Sequence, residues 1–462
     1  MRCDVNVTEQ TIRYGVDARC TEAYDVVIVG GGSAGVAAAV AAGRQGARAL
    51  LVERSGSLGG TSTDALVGPF MTSYDSEGKQ PVVGGIFTEL VDRMVAIGGA
   101  ISPDAIGAGT EYASFIGLGH SHVTPFNADA LRLVAAEMVL DAGVELLLHS
   151  DFVDVVKAGD RVETVIVRLK QGFFAVPAGF VIDCSADGDV AHRAGADFTL
   201  GRGDGHMQPA TMFFRIGNVD DARVQAWIRD RRETNPEERL FQSIVEAAIE
   251  RGEFRIPRQY INIYQEPESG VYRVNVTRIL GVDGTKSEDL TRAEVEGRKQ
   301  VFELIQFFRR YCPGLEDATL LGVAARIGIR ETRHILGDYV LTGDDVINGR
   351  RFPDAVARYA YPVDIHDVSG SRGRLEAIQN DYYEVPVGCL RVKDMPNLLV
   401  AGRCLSADHV AHGSVRVIPA CYATGQAAGT LAALAAERRV EDVRKVDTSV
   451  LQGVLKERGA IL

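Results

Sequence analysis

One short glycine turn, set between a strand and a helix, constrains this chain more than any other feature. Residues 24–29, Tyr-Asp-Val-Val-Ile-Val, form a β-branched run that reads as a buried strand. Gly30-Gly31-Gly32-Ser33-Ala34-Gly35 follows at once, and residues 37–45 read as an alanine-rich helix stopped at Gly46. Residues 47–52 form a second buried strand that ends at Glu53. Gly30, Gly32 and Gly35 satisfy G-x-G-x-x-G, and Glu53 lies 18 residues beyond Gly35, close to the spacing of about 20 expected for a ribose-binding acid. Gly30 permits the tight turn, Gly32 lets backbone amides approach a pyrophosphate, and Gly35 allows close helix–strand contact. The unpaired amides and positive dipole end of the helix suit a phosphate at Ser33 and Ala34. A carboxylate at Glu53 accepts from ribose hydroxyls and repels a 2′-phosphate. This strand–turn–helix–strand unit alone does not separate NAD from FAD.

The rest of the chain divides by character. Residues 54–125 are loop-rich, with one helix expected over 86–97. Asn127 is placed to cap a helix over 129–142. Short strands with turns over 152–176 read as a β-meander, and 180–183 as a return to a buried strand. Residues 205–365 lack glycine-turn signatures. Charged helical stretches there (221–232, 235–251, 290–310) alternate with strand-like runs (260–264, 271–275). From residue 384 the first character returns, with a strand at 398–401 and an alanine-rich helix at 420–437. The expected architecture is α/β: a discontinuous Rossmann-like dinucleotide-binding domain made of residues 1–204 and 366–462, and an inserted α+β substrate or cap domain over 205–365.

The segment after the acid runs Glu53-Arg54-Ser55-Gly56-Ser57-Leu58-Gly59-Gly60-Thr61. Flavoproteins of this fold commonly continue from the ribose acid into such a glycine pair, so residues 24–63 resemble the start of the two-dinucleotide-domain flavoproteins. Asp183-Cys184-Ser185-Ala186-Asp187-Gly188-Asp189 is similar to their later A-T-G-D strand end, with Cys184-Ser185-Ala186 in place of A-T-G. Asn397 to Arg403, His409 to Arg416 and Ala423 to Gly429 complete the pattern. Together these segments resemble the FAD-dependent oxidoreductases allied to the fumarate reductase and succinate dehydrogenase flavoproteins. The middle of the chain is covered only through Gly328-Ile329-Arg330-Glu331-Thr332-Arg333.

The resemblance implies noncovalent FAD, since residues 54–64 hold no histidine to carry it. The implied cofactor contacts are Gly30, Gly32, Ser33, Ala34, Gly35, Glu53, Arg54, Gly60, Thr61, Asp187, Gly402, Arg403, Gly425 and Ala428. His412-Gly413-Ser414-Val415-Arg416 matches the family's H-G-x-x-R segment, whose arginine holds a substrate carboxylate. A guanidinium fork suits that task because it donates two parallel bonds. Arg416 is therefore the candidate anion anchor, with His409 and His412 as acid–base candidates. Arg330 is a candidate proton donor, in a cluster with Glu331, Arg333 and His334. The implied reaction is hydride transfer between a small polar organic substrate and flavin N5. Two rival readings are a flavin-bearing assembly or binding subunit with structural FAD, and a non-redox flavoenzyme.

Composition closes other doors. Lys and Arg number 50 against 62 Asp and Glu, a net charge of −12, which disfavours nucleic acid as a partner and weakens an RNA-modifying reading. Seven cysteines without a C-x-x-C pair point to free thiols in a reducing compartment. His120 and His122 are too few for a zinc site, and no metal is expected. No apolar run reaches the ~18 residues of a membrane span, and residues 1–23 have no secretory apolar core. A cytoplasmic location is the expectation. Gly201-Arg202-Gly203 lacks a preceding strand, so no second dinucleotide site is expected, and the electron partner is open among oxygen, a quinone, another protein or a dissociable substrate.

Overall fold

The computed structural model describes residues 12, 14–368, 370 and 373–462. Residues 1–11 and 13 of the N-terminal stretch read above as lacking a secretory apolar core lie outside them, and so does Cys3 of the seven cysteines. The chain begins with β1 (Ala18–Cys20), β2 (Tyr24–Val29), α1 (Ser33–Arg44), β3 (Ala49–Val52), α2 (Ile86–Ala96) and α3 (Ala128–Asp141). It continues through β4 (Glu145–Leu147), β5 (Asp151–Ala158), β6 (Arg161–Leu169) and β7 (Gly172–Asp183). A parallel sheet runs in the order β4-β3-β2-β7, and the strand Leu398–Val400 adds to the end of β7, pairing Leu398 with Val181. A C-terminal strand thus completes the sheet begun at the N-terminus. Val26, Val27 and Ile28 are fully buried, as expected for a strand covered on both faces. The start of β7 pairs antiparallel with β6, and β6 with β5, forming the anticipated meander, while β1 runs parallel to the start of β7.

α1 packs against the long helix Ile418–Glu437. Gly425 and Gly429 make the contact possible: a Cβ at Gly425 would lie 2.2 Å from the Ala34 carbonyl oxygen, and one at Gly429 2.1 Å from that of Ala38. A spacing of four residues on both helices aligns the two small-residue ridges. Asn127 caps α3 by accepting from the Asp129 and Ala130 amides.

A second buried core gathers residues 210–327 with Leu66 and Ala128. Strands Ile263–Gln265, Tyr272–Val274, Phe214–Gly217 and Thr319–Val323 form an antiparallel sheet in that order, against which the helix Ser287–Tyr311 lies. The helix expected over 235–251 is shorter, Gln242–Glu250, because Pro236 disfavours helix at Asn235 and the preceding helix ends at Thr234. Arg273 and Glu266, both buried, pair at 2.7 Å. Arg273 also donates to the Phe126 carbonyl at 2.7 Å, tying the inserted sheet to the first unit. The buried apolar residues that the inserted unit contributes to this core run from Ala210 to Ile327. Leu341, Val346, Val356 and Val363 pack instead in the first core.

Candidate functional site

The glycine turn is built for close approach of backbone. Gly30 has φ +102°, and a Cβ there would meet the Cys184 carbonyl oxygen at 2.3 Å, so only glycine lets β2 turn against the end of β7. A Cβ at Gly35 would lie 1.7 Å from the Gly30 oxygen. α1 starts at Ser33, no side chain caps it, and no acidic residue stands in its first turn. Glu53, 6% exposed, accepts from the amides of Gly31 and Ser55, both at 2.6 Å. The acid thus holds the glycine loop to the neighbouring strand, and its remaining lone pairs stay available to hydroxyl donors. Gly59 donates its amide to Gly31 at 2.9 Å, laying the glycine pair beside the loop.

From this cradle a cavity of about 1000 Å³ extends toward the inserted unit. Gly30, Gly32, Ser33, Ala34, Glu53 and Arg54 line its start. Gly60, Thr61, Asp187, Gly402 and Arg403 line it further on. Asp187 and Arg403 pair there at 2.7 Å. An uncapped helix end, a glycine cradle and a buried acid fit the pyrophosphate and ribose of FAD. Gly35, Gly425 and Ala428 lie outside the lining. Gly35 faces Gly30, and Gly425 faces α1.

The far end is cationic. Arg239, Arg258, Arg330 and Arg416 line the cavity there, together with Asp364 and His366. Arg416 follows the helix His409–Val415. Its Nη2 donates to the Asp364 carbonyl at 3.1 Å, while its Nε is buried without a partner. Arg258 is 3% exposed, with only long bonds of 3.4 Å to the carbonyls of Val276 and Asn275. Arg330 donates to the Pro209 carbonyl and Thr211 Oγ1. Burial, then the neighbouring Arg416, Arg258 and Arg278, push its pKa well below the ordinary range. Burial opposes ionisation of Asp364, but His366, Arg416 and Arg330 outweigh it and hold the carboxylate low. Burial and Arg330 push His366 down to about 3. The arrangement concentrates hydrogen-bond donors at this end of the cavity.

His409 and His412 lie outside the lining, behind the Arg403–Arg416 wall. His409 Nδ1 is 2.6 Å from Glu331 Oε1, and His412 Nε2 donates to the Arg403 carbonyl at 2.9 Å. His120 lines the cavity, with Nδ1 donating to the Ala113 carbonyl at 3.1 Å. Burial pushes its pKa down to about 4. His122 is apart, bonded to the carbonyls of Pro103 and Gly78. Sequence reasoning missed Arg239, Arg258, Asp364 and His366. Each lies in a segment without a motif, so no local signal marks it. No helix among the described residues is long and apolar enough to cross a membrane.

Residues 25–455 match the family described as FAD dependent oxidoreductase. No curated protein matches the chain. Among solved structures it is similar to a geranylgeranyl bacteriochlorophyll reductase-like protein from Thermoplasma acidophilum, at 16% identity over 96% of this chain and 85% of that one, with TM-score 0.46. It is similar to the anhydrotetracycline hydroxylase OxyS from Streptomyces rimosus at 15% identity, over 95% and 66% of the two chains, TM-score 0.45. The p-nitrophenol 4-monooxygenase from Pseudomonas putida is 13% identical over 95% and 81%, TM-score 0.40.

Proposed function

The chain belongs to the FAD-dependent oxidoreductase family, and from that premise we propose that it exchanges a hydride between flavin N5 and a carbon of a small organic anion. The observation that carries the substrate class is the convergence of Arg239, Arg258, Arg330 and Arg416 on one end of the cavity, around the half-buried carboxylate of Asp364. FAD, when bound, supplies the two-electron chemistry, and the protein supplies orientation and charge. Arg416 lines the cavity with a buried, unpartnered Nε, and its guanidinium suits a carboxylate or enolate. Arg258, its bonds long, adds a second anchor. Arg330, which lines the cavity at the same end as Arg416 and Asp364, is the side chain we assign to donating hydrogen bonds at the site of proton movement. The Asp364 carbonyl keeps Arg416 in place, and the Pro209 carbonyl and Thr211 Oγ1 hold Arg330. The kinship to fumarate reductase flavoproteins rests on His412-Gly413-Ser414-Val415-Arg416, whose arginine reaches the cavity while its histidine supports the wall behind.

The test is anaerobic. Holoprotein is mixed with mono- and dicarboxylates, phosphorylated alcohols and their neutral amides or esters, and flavin bleaching or reoxidation is followed. At least one anion should change the flavin's redox state while its neutral counterpart does not. Arg416→Lys should retain the flavin and slow that change at least about tenfold, because lysine cannot reproduce a bidentate fork. Bleaching by neutral compounds alone, or unchanged kinetics in Arg416→Lys, refutes the anion reading.

A further inference from the structure

Behind the arginine wall, Glu331 and the strand Arg333–Ile335 meet the helix His409–Val415, and their side chains form a buried cluster the flavin chemistry does not use. Glu331 is 1% exposed, and His334 and His412 are fully buried. One donor atom from each lies within 4.8 Å of the other two. The hydrogen bonds around them select which atoms these are. His334 Nδ1 donates to the Ala407 carbonyl at 2.8 Å, leaving Nε2 3.1 Å from Glu331 Oε1. His412 Nε2 donates to the Arg403 carbonyl, leaving Nδ1 buried with no partner. A carbonyl only accepts, so the proton of neutral His412 sits on Nε2 and Nδ1 holds a lone pair. His409 Nδ1 stands 2.6 Å from the same Glu331 oxygen.

Two features distinguish this from an ordinary ion pair. Imidazoles that bind metals characteristically donate their far N–H to a carbonyl, which fixes tautomer and ring orientation, and His334 and His412 both do so. Four-coordinate sites with bonds of about 2.0–2.2 Å place neighbouring ligand atoms roughly 3.3–3.5 Å apart; His334 Nε2, at 3.1 Å from Glu331, stands near that spacing, whereas His409 Nδ1, at 2.6 Å, has to draw back from Glu331 to join an ion. We infer that Glu331, His334 and His412, with His409 as fourth ligand, form a site for a divalent transition ion of the zinc or iron(II) class. Three imidazoles and one carboxylate suit such an ion and not calcium or magnesium, which take oxygen ligands. Four protein ligands close the site, so the role is structural: the ion ties the strand Arg333–Ile335 to the helix that leads into Arg416. Arg403 and Arg416 nearby oppose a cation, and the Glu331 carboxylate must offset them. The inference is independent of the substrate reading.

The full-length holoprotein is depleted with a chelator, then titrated with Zn²⁺ in air and with Fe²⁺ under argon. Roughly one ion per chain should survive gel filtration, with a rise in melting temperature. A crystal containing zinc should show an anomalous peak among these four side chains. His412→Phe, which keeps the ring's bulk, and Glu331→Gln should each weaken binding at least about tenfold. His122→Asn should bind as the wild type does. Retention of only one of the two ions names the native metal. Failure of both ions to bind or to shift melting overturns the site. So does an anomalous peak elsewhere, or full binding by His412→Phe. If the variants do not fold, the wild-type titration and the anomalous map still decide.

Discussion

Gly425→Ala tests whether the cofactor cradle is held by helix contact. A Cβ at residue 425 would stand 2.2 Å from the Ala34 oxygen, where ordinary contact begins near 3.4 Å. The obstacle is backbone on α1, so no side chain can rotate away, and the two helices must part by about 1 Å. A gap of that size forfeits a quarter to a half of each contact's dispersion energy, and the lining of both ridges is affected. Overpacking of this kind costs about 1–3 kcal/mol, and backbone as the partner places Gly425→Ala at the upper end. A loss of ~3 kcal/mol lowers the melting temperature of a large domain by roughly 6–12 °C. The same displacement moves Ser33 and Ala34, which line the cavity, so FAD should dissociate more readily. Thermal unfolding and flavin release on dialysis measure both effects. Gly453→Ala is the control: it sits in the helix Thr448–Glu457 with nothing within 4 Å of the new Cβ, and should be neutral or stabilising by up to about 1 kcal/mol. Unchanged melting and flavin retention in Gly425→Ala refute the tight-ridge argument, as does an equal loss in both variants.

Other expectations follow from single residues. Glu53→Ala removes two charge-assisted bonds that hold the glycine loop, each worth about 1.5–3 kcal/mol, and FAD affinity measured by fluorescence should fall at least about tenfold. Glu266→Ala leaves Arg273 buried without its counter-charge, so the denaturation midpoint should drop by the equivalent of about 3–5 kcal/mol. His120 is held neutral by burial, with its pKa lowered from 6.5 to about 4. Its contribution is present above pH 6.5 and lost as pH falls through about 4, because the unfolded chain takes up the proton first. That limb amounts to at most about 3 kcal/mol. His120→Gln should flatten it in denaturant titrations at pH 7 and pH 5. An identical pH slope in His120→Gln would show that His366, also depressed, carries the effect.

The parts legible from the residues alone were local. The turn Gly30–Gly35, the strands on either side, the acid at Glu53 and the Asn127 cap each depend on neighbours within a few positions or one βαβ unit. Backbone propensity and glycine geometry act over that range, so their signatures survive in linear order. The segment 205–365 was set apart on its lack of those signatures, and the apolar residues it adds to the second core extend from Ala210 to Ile327.

What tertiary packing alone decided was which distant residues meet. Gly425 and Gly429 have the small-residue pattern of a ligand-facing helix and of a helix-packing ridge alike, and only the approach of α1 chose between them. Arg239, Arg258, Arg330 and Arg416 come from four separate segments and meet in the lining of one cavity. Glu331 and His334 meet His409 and His412 across some 75 residues of chain. Periodicity records which face of an element is apolar. It carries no information on which other element covers that face, and the charges in this site take their chemistry from that covering.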